Sequence, residues 1–163
     1  MISKELLDVV KINYRLDWNG IHGSAHWARV RNIGLKLSKH TGANTRVVEL
    51  FAFIHDSCRF SDGNDPEHGP RAAEFAKSIN GKVIDLNKIE LDDLVDACIY
   101  HTRGMTNNYN ATVLTCWDAD RLDLGRVGII PNSEYLCTDV AKKDDVIKWA
   151  YRNSIGESYE NVF

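Results

Sequence analysis

The stretch Val47-Val48-Glu49-Leu50-Phe51-Ala52-Phe53-Ile54-His55-Asp56 decides how this chain is read. Apolar residues fall on nearly every side of it, a pattern that suits either a buried strand or a helix buried all round. Asn44 or Thr45 stands where a helix cap is needed, and helical patterns flank the run, so it is expected to be a central buried helix. That helix ends on an imidazole and a carboxylate. Burying a carboxylate is costly unless it is paired or bound to a cation. Nitrogen and oxygen ligands together suit a first-row divalent ion. By itself a His-Asp dipeptide is better read as an incidental helix end at the surface.

Outward from this run the chain reads as helical. Residues 2–17 carry Leu6, Val9, Val10 and Tyr14 as a stripe, before Asn19-Gly20 breaks the pattern. From 24 to 39, His26, Val30, Ile33 and Leu37 share one helix face, with Gly42 placed to close the helix. The segment Ser61-Asp62-Gly63-Asn64-Asp65-Pro66 is a loop. Further helices are expected from 66–68 to Gly81, over 88–102, over 111–124 and over 139–153, with 154–163 loosely ordered. The reading is therefore all-α: a single-domain helical bundle of about six or seven helices spanning 1–163.

Composition narrows the function. Of 163 residues, 44% are hydrophobic, enough for a core, and the formal net charge of −3 offers no general basic surface for a nucleic-acid polymer. Cys58, Cys98, Cys116 and Cys137 form no C-x-x-C pair, and are read as reduced structural thiols. Met1-Ile2-Ser3-Lys4-Glu5 lacks the pattern of a signal peptide, and no run approaches a membrane span. A cytoplasmic protein without a membrane partner is expected. Its oligomeric state is left open, a homodimer included.

His26 lies in His22-Gly23-Ser24-Ala25-His26-Trp27-Ala28-Arg29-Val30, and Asp120 in Asp118-Ala119-Asp120-Arg121-Leu122-Asp123. Both are expected on the apolar side of a helix, so three helices can aim His26, His55, Asp56 and Asp120 at one point. The order His … His-Asp … Asp, with the His-x-x-Arg-Val and Ala-Asp-Arg-Leu contexts, resembles the HD-domain metal-dependent phosphohydrolases over about residues 20–125. Cys58-Arg59, Asp65-Pro66-Glu67-His68-Gly69-Pro70-Arg71-Ala72-Ala73 and residues 116–126 are further similar to short bacterial HD proteins of unassigned substrate. The resemblance implies an HD-like bundle and a divalent metal (Mn, Fe, Co, Ni, Zn or Mg) on those four residues. Two-metal HD proteins carry two additional histidines between the His-Asp pair and the last Asp. His68 and His101 match that order, and Asp56 would then bridge two ions. The alternative is that both histidines bind substrate phosphate.

Arginine is the natural fork for phosphate oxygens. Arg59, Arg71, Arg103 and Arg121 each lie within four residues of an expected ligand, and Arg59 follows Asp56 directly into the polar loop. His22 is expected at the pocket mouth in contact with substrate, and His40 is read as structural. Asp118 or Asp123 either orients a ligand histidine or is solvated. Trp27 and Trp117 serve either as stacking platforms or as core.

The leading expectation is hydrolysis of a phosphoester of a nucleotide or another small phosphorylated metabolite. A divalent ion makes hydroxide available at neutral pH, Asp56 or a water-linked carboxylate accepts the proton, and arginine takes up phosphoryl charge. The same six ligands would also serve a di-iron oxygenase, told apart by the metal. A non-catalytic metal- or nucleotide-binding HD domain is the third reading. The chain has no Gly-x-Ser-x-Gly elbow, phosphate-cradling loop or dinucleotide fingerprint. His55-Asp56-Ser57-Cys58-Arg59-Phe60 also lacks the His-Asp-x-x-Glu-Asp extension of the guanosine tetraphosphate hydrolases.

Overall fold

Polar caps start the helices where the sequence changes register. Ser3 accepts from the N–H of Leu6 and opens α1 (Lys4–Asn13). The helix α2 (Ser24–Thr41) closes on Gly42, whose φ of 72° suits a residue without a Cβ. Asn44 caps α3 (Thr45–Ile54) through the N–H groups of Arg46 and Val47. There follow α4 (His68–Ile79), α5 (Lys88–Tyr100) with a reciprocal Asn87–Glu90 capping box, and α6 (Ala111–Arg121), capped by Asn110. Two short 3₁₀ turns, Leu124–Val127 and Ser133–Tyr135, lead to α7 (Asp144–Ser154). This computed structural model describes residues 2–157 and 162–163. They hold seven α-helices, with no strand beyond an isolated bridge between Asn80 and Ile84. None of these helices is long and apolar enough to cross a membrane.

α3 is the central helix, packed against α1, α2, α4, α5 and α6. Val47, Val48, Leu50, Phe51, Ala52 and Ile54 are all buried. Burying residues as large as Phe51 and Ile54 contributes about 1.5–3 kcal/mol each. α2 lies on α3 and α6, while α4 lies on α5. The stripe of α2 points inward as expected, with His26 buried beside Val30, Ile33 and Leu37.

Three boundaries differ from the sequence reading by three residues or more. The first helix stops at Asn13 instead of 17, because Tyr14 turns extended and its ring packs edge-on against Trp18 and Trp27. The last helix starts at 144 instead of 139. Upstream of it, the Asp118 carboxylate accepts from the N–H groups of Cys137 and Thr138 and fixes the chain there. The sixth helix gives way to a 3₁₀ turn after 121. Of the tail expected to be loose, Val162 and Phe163 pack against the core, with Phe163 edge-on to Trp149. Residues 158–161 of that tail lie outside the described residues. All four cysteines are free, and burial pushes each thiol up from its ordinary pKa.

Candidate metal centre

Five helix ends converge on one point. α2 brings His26 on its first turn, and the C-terminal end of α3 brings His55 and Asp56. His68 opens α4, His101 caps the end of α5, and Asp120 sits one residue before the end of α6. His26 and His55 are fully buried, and Asp56, His68 and His101 nearly so. Three overlapping groups have ligand atoms mutually within 4.8 Å: His26–His55–Asp56, His55–His101–Asp120 and Asp56–His68–His101.

Each ring is fixed by its Nδ1. His26 Nδ1 donates to the Asp123 carboxylate at 2.7 Å, and His55 Nδ1 to the Phe51 carbonyl at 3.0 Å. His68 Nδ1 donates to the Asp65 carbonyl and His101 Nδ1 to the Cys98 carbonyl. With Nδ1 committed as donor, the neutral ring carries a lone pair on Nε2. Those lone pairs face each other in two couples. His26 and His55 Nε2 stand 3.2 Å apart, and His68 and His101 Nε2 stand 2.9 Å apart. Two lone pairs at that distance repel unless a cation lies between them.

Asp56 joins the couples. Its Oδ2 is 3.7 and 3.6 Å from Nε2 of His26 and His55, while its Oδ1 is 3.2 and 3.8 Å from Nε2 of His68 and His101. Asp120 Oδ1 lies 3.4 and 3.7 Å from the first couple and is buried without a hydrogen-bond partner. Ligand atoms about 2.1 Å from an ion stand about 3.0–3.4 Å apart in octahedral or tetrahedral arrangements. The His26–His55, His26–Asp120, His68–Asp56 and His68–His101 spacings match that range, the other four are wider at 3.6–3.8 Å, and the orphaned Asp120 oxygen is the polar atom that an ion would satisfy.

The local electrostatics agree. Burial acts to raise the Asp56 carboxyl, but His55, His101 and His68 outweigh it and hold the pKa well below the usual range. Asp120 is lowered likewise, against burial, by His55, Arg126 and His26. Burial pushes His26 down to about 4. His55 experiences the same burial, but Asp56 and Asp120 reverse its effect and raise its pKa. Asp56 and Asp120 thus favour positive charge at His55, whether from a proton or a metal ion.

A cleft of about 440 Å³ opens onto Asp56, His101 and Asp120. Arg59 and Arg126 line one part of it, and Ile129, Ile130, Pro131 and Tyr135 form an apolar wall. His22 also lines the cleft, its Nδ1 2.8 Å from Asp62 Oδ1. Another depression, of about 530 Å³ beside Leu6, Arg46 and Val83, contains none of the clustered ligands.

Two of the arginines expected to contact phosphate lie outside the cleft lining. Arg71 donates to the Cys58 carbonyl and to Asp65 at 2.6 Å, with its guanidinium on the Phe60 ring, so it braces the loop from outside the cleft. Arg103 is exposed over Tyr100, outside the cleft lining. Arg121 reaches the cleft, but its N–H groups are taken by the carbonyls of Met105, Tyr135 and His101. Trp27 and Trp117 are core, the latter donating to the Ala97 carbonyl. His40 stays outside the centre, its ring 6.0 Å from that of Phe163. Asp118 fixes the 137–138 backbone, and the carboxylate on the His26 ring is Asp123. Arg126 was not among the expected residues. It lies beyond the helix end, where only the 3₁₀ turn brings it 3.8 Å from Asp120.

Set against models of known protein families, curated proteins and solved structures, the chain matches none. What stands is an all-helical bundle with clustered histidines and aspartates able to hold metal, consistent with an HD-like fold.

Proposed function

We propose that this protein is an HD-type metal-dependent phosphohydrolase acting on a nucleotide or another small phosphorylated metabolite. One observation carries the reading: two couples of opposed Nε2 lone pairs lie on either side of Asp56, with an unpartnered Asp120 oxygen beside the first. His26, His55, Asp56 and Asp120 would hold one divalent ion, and Asp56, His68 and His101 a second. A bound divalent ion supplies Lewis acidity and lowers the pKa of its water from 15.7 toward about 7.

The chain's own groups do the rest. Arg59 and Arg126 reach the cleft beside the ligands, where guanidinium N–H groups meet phosphoryl oxygens and the charge that builds on them. The wall of Ile129, Ile130 and Pro131 suits the apolar face of a base or another flat leaving group. Asp56, held ionised by the histidines around it, is a better bridge than proton acceptor. His22 fits the acceptor role better, because burial lowers its pKa and Asp62 fixes its Nδ1, leaving Nε2 for the proton.

The test is direct. Protein purified without added metal is assayed for metals per chain, then screened against phosphorylated metabolites with Mn²⁺, Co²⁺, Ni²⁺, Zn²⁺, Fe²⁺ and Mg²⁺. Phosphate release that follows metal loading supports the reading, and a chain that binds no ion overturns it. The bridging position of Asp56 between two histidine couples also favours a di-iron oxygenase. Two irons with an oxygen-sensitive visible spectrum, and no phosphate release, would select that chemistry.

A further inference from the structure

The two ligand groups differ in one respect. Beside the first, Arg126 Nη2 stands 3.8 Å from Asp120 Oδ1, beyond hydrogen-bond distance. Inside the second, Arg59 Nη1 donates to Asp56 Oδ1 at 3.3 Å and lies 3.1 Å from Nε2 and 3.4 Å from Nδ1 of His68, over the ring. Asp56 and His68 both belong to the second group. The rest of the fork is tied to the loop, Nε to the Ser61 carbonyl at 3.1 Å and Nη2 to the Gly63 carbonyl at 2.9 Å. The side chain is only 9% exposed.

We infer that Arg59 is a built-in cation that gates the second metal position, so that an ion enters between His68, His101 and Asp56 only in exchange for the guanidinium. The inference rests on the proposed metal centre and goes beyond it. A metal ion on His68 Nε2 and a guanidinium nitrogen 3.1 Å from the same atom would crowd two positive charges into one buried place, where they repel. The buried Asp56 carboxylate likewise gains one counter-charge or the other on its Oδ1 side. When Arg59 leaves, its fork remains anchored at residue 59 on the edge of the cleft, where phosphoryl oxygens would arrive. Loading of the second ion and presentation of an arginine to the substrate then become one event. The first position, free of such a competitor, fills first.

The size of the effect follows from competition. If only the undocked fraction of Arg59 admits the ion, the apparent dissociation constant is the intrinsic one divided by that fraction. An arginine docked 90% of the time weakens the second site about tenfold. Mn²⁺ titrations by calorimetry, with electron paramagnetic resonance reporting coupled ion pairs, should give two separated affinities in the wild-type protein. Arg59→Met and Arg59→Gln should tighten the second by about tenfold or more and leave the first nearly unchanged. Adding His68→Ala to either should remove the second ion. Tm and far-UV circular dichroism identify whichever variant is folded. In the unmodified protein titrated with Zn²⁺, the Arg59 Nε–H resonance should move during the second equivalent only. A second-site affinity unchanged or weakened in the variants, or an Arg59 resonance indifferent to the second equivalent, overturns the gate while leaving the metal centre standing. Failure of every protein to bind any ion overturns both.

Discussion

Asp123 holds the ring of His26 at 2.7 Å across 97 residues of chain, and Arg29, on the same helix as His26, grips the other side of that carboxylate. The chain Arg29–Asp123–His26 fixes the tautomer that turns Nε2 toward His55. Asp123→Asn keeps the shape but removes the charge and one of the two acceptor oxygens. It is expected to weaken binding of the first Mn²⁺ by about 10–100-fold with helical content intact. A calorimetric titration indistinguishable from wild type would show that the His26 ring is held by packing alone.

Ion counting separates the roles of the clustered side chains. Asp56→Ala removes the bridge and should abolish binding of both ions, with far-UV circular dichroism close to wild type. Asp120→Ala should empty the first position. His68→Ala should cost no more than one of two ions. Metal content by mass spectrometry checks all three, and an Asp56→Ala protein that retains its full metal complement would end the assignment.

The loop between Asp56 and His68 gives a pH dependence whose sign is fixed. Burial acts to raise the Asp65 carboxyl, but Arg71 at 2.6 Å and the Phe60 N–H outweigh it and set the pKa below the ordinary 3.8. A lowered carboxyl contributes stability above its unfolded value and loses it as pH falls through the folded value. Asp65→Asn should therefore lower Tm at neutral pH, and the gap from wild type should close below about pH 4. A gap of constant size from pH 7 to pH 3 would contradict the Arg71–Asp65 link.

The sequence made the bundle and the ligand order legible because both follow helical period. His26 falls on the stripe of Val30, Ile33 and Leu37, and α3 is apolar all round, so each delivers its polar end inward. The arginines were less legible, since nearness along the chain says little about where a long side chain goes. Arg71 lies three residues past His68 yet turns to the Cys58 carbonyl and the Asp65 carboxylate, whereas Arg126 reaches Asp120 from beyond the helix. Choosing between Asp118 and Asp123 likewise needed the bend after Arg121, because both lie near the turn of chain that holds Asp120.

The close approach of α4 and α5 is what sets His68 against His101, and Gly69 is its most exacting position. A Cβ built on Gly69 would stand 2.4 Å from the Cys98 carbonyl oxygen, the same carbonyl that accepts from His101 Nδ1. Real Cβ contacts do not come that close, and backbone cannot yield as a side-chain tip can. Gly69→Ala must therefore push the N-terminal end of α4 off α5. The change should destabilise the fold by about 1–3 kcal/mol, the ordinary range for overpacking. It should also widen the gap between His68 and His101 Nε2, now 2.9 Å. Binding of the second ion should weaken while the first, held by α2, α3 and α6, keeps its affinity. Thermal unfolding and a Mn²⁺ titration read the two effects separately. Unchanged values in both would mean that the helices lie farther apart than this geometry requires.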